Sequence, residues 1–290
     1  MTLKKYTVKF PGSCGELMQG ITMGKNFHVT CPINLFSEVS VSISRNSGIV
    51  CDKNHWKLIK AMEKTLEYFG ANDFGGIIRI KSEIPPGKGM ASSTADISGV
   101  IFATTLALNE TISENEIAKI ALSIEPTDGT IFKNICLFDH RKGLLFEEFG
   151  DMPENKLLVI DPDGIIDTIE FNKKDNYELL SENEKDISKA LKDLKEGFIN
   201  KNLNIIGECS IKSAILNQKI LYKDYLNRLI EFSLNHEAFG INIAHSGTAA
   251  GIILPSDMHL KRSFYQGISK IFNNFPKMYE CKIISGGVIA

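Results

Sequence analysis

The sequence lacks the marks of a zinc-bound, secreted, membrane-spanning or nucleic-acid-binding protein. Its six cysteines, Cys14, Cys31, Cys51, Cys136, Cys209 and Cys281, form no C-x-x-C pair, which argues against a zinc site or disulfide framework and for a reducing compartment. No apolar run approaches the roughly 20 residues of a membrane helix, and the first six residues lead toward a strand without a signal-like apolar core. A net charge of −2 offers no basic surface to nucleic acid or to an anionic membrane. A cytoplasmic location is expected. Two common nucleotide fingerprints are also missing. Lys88 lies between Gly87 and Gly89 instead of after the second glycine, and no third glycine completes G-x-G-x-x-G.

What is present is a core and one unusual loop. With 43% hydrophobic and 23% charged residues, the 290-residue chain has the composition of one large globular domain or two ordinary ones. Residues 76–83 read as a strand with one buried face, and residues 95–108 as a small, apolar helix packed on most sides. Between them run Ile84-Pro85-Pro86-Gly87-Lys88-Gly89-Met90-Ala91-Ser92-Ser93-Thr94-Ala95. Glycines let backbone N–H groups approach a ligand, and the first N–H groups of a helix have no partner inside it. Strand, glycine loop and helix start make an anion site, with phosphate the usual anion. The competing reading is a tight loop whose serines only cap a structural helix.

Elsewhere the chain alternates strands and helices without a regular parallel βαβ series, which points to the α+β class. Residues 6–10 read as a strand that stops at Pro11-Gly12, and residues 11–20 as a tight loop carrying Glu16 and Gln19. Residues 28–43 are a strand with a bulge or edge at Pro32. Residues 56–70 form an amphipathic helix with its aromatics in the core, closed by Gly70. Ser113 to Glu116 is a capping box. Glu125 and Asp128 flank Pro126 in an exposed acidic turn, where phosphoryl transfer would need oxygen ligands for Mg²⁺ and a group facing the acceptor hydroxyl; Asp128 could equally be a turn residue before Gly129. Residues 135–146 resemble a hairpin whose charged tip explains His140 and Arg141, and His28 reads as a surface or packed imidazole. Residues 151–155 are a candidate boundary, followed by a strand at 156–161 ending in a Pro162-Asp163-Gly164 turn. Helices are expected at 177–200, 202–218, 223–236 and 258–274, and a last strand at 282–285. Residues 240–254 are two apolar strands around a small-residue turn, Ser246-Gly247-Thr248-Ala249-Ala250-Gly251, with His245 beside it.

Pro85-x-x-x-Gly89-Met90-Ala91-Ser92-Ser93-Thr94 resembles the Pro-x-x-x-Gly-Leu-Gly-Ser-Ser-Ala loop of the GHMP kinases, which phosphorylate galactose, homoserine, mevalonate and similar alcohols with ATP. Met90, Ala91 and Thr94 stand where that pattern has Leu, Gly and Ala. Residues 11–20 resemble the family's first motif, and residues 246–251 its third, with fewer glycines. The resemblance implies an α+β, two-domain GHMP kinase fold: residues 1–152 an N-terminal phosphate-loop domain, residues 153–290 a C-terminal ferredoxin-like domain, and ATP between them. It implies that the phosphates lie on Pro86, Gly87, Lys88, Gly89 and Met90 and on Ala91, Ser92, Ser93, Thr94 and Ala95. Ser93 and Glu125 would hold Mg²⁺, and Asp128 would accept or orient the acceptor hydroxyl. Glu16, Gln19 and Asn34, with Ser246, Gly247 and Thr248, would face the acceptor, and Cys31 lies beside Asn34. Within the family, Ser13-Cys14-Gly15-Glu16-Leu17-x-Gln19-Gly20, Cys31-Pro32-Ile33-Asn34, Lys88-Gly89-Met90-Ala91-Ser92-Ser93-Thr94-Ala95-Asp96, Glu125-Pro126-Thr127-Asp128 and Ala244-His245-Ser246-Gly247 are similar to the L-threonine kinases of cobalamin biosynthesis. That similarity alone implies L-threonine as the acceptor. A homoserine or other small-alcohol kinase, and a non-catalytic nucleotide-binding sensor, are the alternatives.

Overall fold

A computed structural model describes residues 5–52, 55–162, 176–272 and 274–289. Its first elements, β1 (Lys5–Thr22) and β2 (Lys25–Arg45), form one long antiparallel hairpin. The turn is Met23-Gly24, with φ of 51° and 67°, and two such residues match the twist of the flanking strands. The tight loop expected at 11–20 is therefore strand, a correction with a physical cause. Every residue from Phe10 to Thr22 is buried, so both faces of β1 are covered and no polar–apolar alternation marks it. Its pairing with β2 also slips at Pro11/Gly12, Ser13/Glu16 and Glu16/Met18. The first slip leaves Asn34 and Leu35 as extra residues on β2, near the irregularity expected at Pro32.

The remaining elements of the N-terminal half are β3 (Ile49–Cys51), α1 (Trp56–Tyr68), β4 (Phe74–Ser82), α2 (Ser92–Ala107), α3 (Glu114–Leu122), β5 (Ile135–Phe138) and β6 (Phe146–Gly150). Helix α2 packs on β1 and β2, and small residues such as Ala95, Ser98, Gly99 and Ala103 let it approach them closely. Ser113 and Glu116 form the expected capping box on α3. The second half holds β7 (Lys156–Asp161), α4 (Tyr177–Glu182), α5 (Glu184–Ile199), α6 (Leu203–Leu216), α7 (Leu226–Leu234), β8 (Gly240–Ile243), β9 (Ala250–Leu254), α8 (Arg262–Phe272) and β10 (Lys277–Cys281). The helix expected at 177–200 is divided at Asn183. Of the Pro-Asp-Gly turn after β7, Asp163 and Gly164 lie outside the described residues.

The sheet runs β10-β7-β9-β8-β1-β2-β4-β3, with β5 paired to β2 and β6 to β5. Its antiparallel β10-β7-β9-β8 part, with helices after β7 and after β9, has the split β-α-β-β-α-β connectivity of a ferredoxin-like unit. A separate apolar cluster lies under these strands, with Leu226 and Leu229 of α7 and Phe264 and Ile268 of α8. We propose the division between residues 152 and 153, in the segment joining β6 to β7. The last strand is a second correction: β10 ends at Cys281, and residues beyond it make only single bridges, Ile33 with Ile283 and Lys9 with Ile289. Side chains add to the backbone bonds of Ile284 N to Pro32 O and Asn34 N to Lys282 O there. Asn155 Oδ1 accepts from Ile283 N at 2.9 Å and its Nδ2 donates to Ile283 O at 3.1 Å, while Asn34 Oδ1 accepts from Lys282 N at 2.7 Å.

Candidate active site

The site begins where β4 hands over to α2. The helix starts at Ser92, three residues before the start suggested by its apolar run. Gly87, Gly89 and Ala91 have φ of 72°, 73° and 55°, and such alternating left-handed residues turn backbone N–H groups toward one concavity. Ala91 stands where the family pattern has glycine, and its conformation costs a residue with a Cβ about 1–2 kcal/mol. Ala91→Gly removes that strain but adds about 0.5–1 kcal/mol of unfolded-chain entropy. A net stabilisation of up to about 1 kcal/mol is expected, read as a rise in the denaturant midpoint at unchanged slope.

The loop is clamped from both sides. Ser13 N donates to Met90 O at 3.0 Å, and Ala249 N donates to Lys88 O at 3.2 Å. A Cβ on Gly89 would lie 2.7 Å from Ala244 Cβ and 2.8 Å from Gly247 Cα, so the turn after β8 packs directly on the phosphate loop. That turn is backed by Lys223 Nζ, donating to Gly247 O at 2.6 Å, and by Tyr225 OH, donating to Thr248 O at 3.1 Å. Burial pushes the Lys223 amine down to about 8. Lys88 contributes backbone to the loop, while its ammonium lies 2.7 Å from Asp161 Oδ1 and donates to Pro162 O at 3.0 Å.

In front of α2 opens a cleft of about 520 Å³. The acidic turn expected to be exposed is half-buried in it: the Glu125 and Asp128 side chains are 18% and 27% exposed. Ser93 Oγ donates to Glu125 Oε1, and Lys57 Nζ lies 2.5 Å from Glu125 Oε2. Thr94, another departure from the family pattern, ties the turn to the helix. Its Oγ1 accepts from Asp128 N at 3.2 Å and from Thr127 Oγ1 at 3.2 Å, and donates to Asp128 Oδ2 at 3.4 Å. Burial pushes the Asp128 carboxyl up to about 6, against the pull of His245 and of the Thr94 hydroxyl. Trp56, expected in the core, is 61% exposed and lines the cleft next to Lys57; Tyr68, at the other end of α1, is exposed too.

Three imidazoles that the sequence reading left aside meet at the inner end of the cleft. His28 and His140 stack at 3.6 Å between ring centroids, and His245 lies 4.4 Å from His28. His140 is buried, not part of a charged hairpin tip. Burial pushes His28 and His140 well down, and His245 to about 4. The slips in β1 bring two predicted residues here. Glu16 Oε1 lies 3.6 Å from His28 Nδ1, and Gln19 Oε1 lies 2.6 Å from His245 Nδ1. Burial, with the Asp128 carboxylate as the second cause, pushes the Glu16 carboxyl well up, opposed by a hydrogen bond from Thr30. Ser93, Glu125, Asp128 and Ser246 thus line one cleft, and Glu16 and Gln19 lie buried behind its His28 and His245. Asn34 does neither: it is exposed and holds Lys282 instead.

A glycine loop on a helix start, with a hydroxyl–carboxylate pair and a second carboxylate facing it, is an arrangement that suits a small-molecule kinase. Residues 55–133 match the GHMP kinases N terminal domain, and the chain belongs to the GHMP kinase family. It is 31% identical over 288 residues to the L-threonine kinase of Salmonella typhimurium, spanning 96% of this chain and 93% of that protein. Similarity to the L-threonine kinase of Citrobacter freundii is 28% over 291 residues, 96% of this chain and 97% of that one. Among solved structures, homoserine kinase from Cytophaga hutchinsonii shares the fold with a TM-score of 0.70 at 14% identity, over 100% of this chain and 98% of that one.

Proposed function

We propose that the protein is an ATP-dependent L-threonine kinase, forming O-phospho-L-threonine for the aminopropanol arm of cobalamin. The observation that carries the reading is the meeting, in one cleft, of the α2 start, the Ser93–Glu125 pair and Asp128. The near-full-length similarity to L-threonine kinases supports the acceptor. The N–H groups of the loop and of the first turn of α2 bind the phosphates. Ser93 and Glu125 are a hydrogen-bonded oxygen pair whose carboxylate already faces one cation, the Lys57 ammonium, and these oxygens would fit Mg²⁺. When bound, the ion spreads the charge that builds on the β- and γ-oxygens. Asp128 takes or orients the hydroxyl proton, and Glu16 with Gln19 positions the acceptor. The free thiols of all six cysteines support a cytoplasmic setting, and no helix among the described residues is long and apolar enough to cross a membrane.

The deciding experiment is ADP release with ATP and Mg²⁺ against L-threonine, L-serine, L-homoserine and mevalonate, one acceptor at a time. Turnover with threonine alone is expected. Preference for another acceptor keeps the kinase and removes threonine. Nucleotide binding without turnover on any acceptor favours a sensor. Binding has its own signal, because Trp56 is the single tryptophan and lines the cleft. ATP is expected to quench its fluorescence, and Trp56→Ala to raise the KM for ATP about tenfold, since stacking a base on an aromatic is worth about 1–3 kcal/mol.

A further inference from the structure

We infer that the inner end of the cleft is a zwitterion pocket, in which Glu16 receives the acceptor's α-ammonium and His28, His140 and Arg141 receive its α-carboxylate. This rests on the kinase reading above and adds the side chains that would hold the two charges of the acceptor's head group. Among the described residues, Glu16 Oε2, Gln19 Nε2 and both ring nitrogens of His28 and His140 are buried without a hydrogen-bond partner. The nearest approaches, His28 Nδ1 to Glu16 at 3.6 Å and to Asp128 at 3.7 Å, are too long to satisfy them. Buried polar atoms of this kind call for a partner, and these belong to side chains at most 5% exposed.

The chemistry of the set is two-sided. Burial keeps the imidazoles neutral, so each offers one N–H and one lone pair, and Arg141, the next residue after His140, acts on all three rings. Donors and a fixed positive charge therefore lie on the His140 side, and a carboxyl lies on the Glu16 side. A simple alcohol would leave one of these unmatched; an α-amino acid matches both. Chelation of a transition metal by the trio fits less well. The His28 and His140 rings are stacked with only 10° between their planes, so their lone pairs run side by side and do not converge on a tetrahedral centre.

The test compares L-threonine with (R)-1-aminopropan-2-ol, the same alcohol and ammonium without the carboxylate, in wild type, His140→Leu and Arg141→Met. Wild type is expected to prefer threonine by about 10²-fold or more in kcat/KM. Each substitution should raise the KM for threonine about 10–100-fold, the range for a lost hydrogen bond to a charged group. It should also shrink the preference at least tenfold, with ATP quenching of Trp56 unchanged. A preference within twofold of wild type in a folded variant overturns the pocket. So does one tightly held transition-metal ion per chain that threonine does not displace. Arg141 is half-buried on a loop, so Arg141→Met decides the matter if His140→Leu fails to fold. A wild type inert toward threonine instead sinks the kinase reading itself, a separate outcome.

Discussion

Asp128→Asn is expected to lower kcat for threonine by about 10² or more, the usual range for removing a general base. The substitution preserves size and leaves an oxygen to accept from Thr94, so the melting temperature and ATP quenching of Trp56 should hold near wild type. What it removes is a carboxylate whose burial sets it to ionise near pH 6, close to the working pH of an effective base. The sign follows from that shift. As pH falls through about 6 the carboxyl gains its proton, the base is lost, and kcat/KM declines. Asp128→Asn should abolish this acid limb along with the rate. A wild-type rate in the variant would take Asp128 out of proton transfer and leave positioning and charge stabilisation to carry the step.

The parts of this site that were legible in the sequence are the parts the chain builds locally. Glycines, prolines and serines in one short run fix the phosphate loop, and Glu125 and Asp128 sit in one turn that Thr94 ties to α2. The imidazole cluster is different. His28 lies on β2, His140 after β5 and His245 after β8, and no local period links residues that only the sheet order brings together. Lys57 escaped for the same reason, since its partner Glu125 lies 68 residues on, past β4, α2 and α3. β1 was obscured by its own role: Pro11, Gly12 and Gly15 look like turn residues, yet they lie at the slips in a buried strand that sets Glu16 against His28. Trp56 misled because an aromatic on an amphipathic helix is usually core, whereas here it sits at the first turn and faces the opening. Asn34 fell in a family-like motif, but the bulge carries it out to the C-terminal tail.

Gly247→Ala is expected to raise the Kd for ATP by about 10² or more, with a lowered melting temperature. The added Cβ would sit 2.1 Å from Lys88 O and 2.4 Å from Gly89 N. Both are backbone atoms, so no side chain can swing aside. The loop cannot yield freely, being held by Ser13 N on Met90 O and by Ala249 N on Lys88 O. Nor can the turn retreat, because Lys223 grips the Gly247 carbonyl from behind. The loop N–H groups that we propose cradle phosphate must therefore move, and misplacement by about 1 Å can cost a hundredfold in an organised site. Titration of Trp56 fluorescence with ATP reads the first effect and a thermal melt the second. Wild-type ATP affinity in this variant would mean that the turn and the loop are not in the tight contact described. The small residues at 246–248 would then serve the acceptor alone. Weakened ATP binding with a preserved preference for threonine would place the third motif where the packing puts it, as the wall that keeps the phosphate loop in shape.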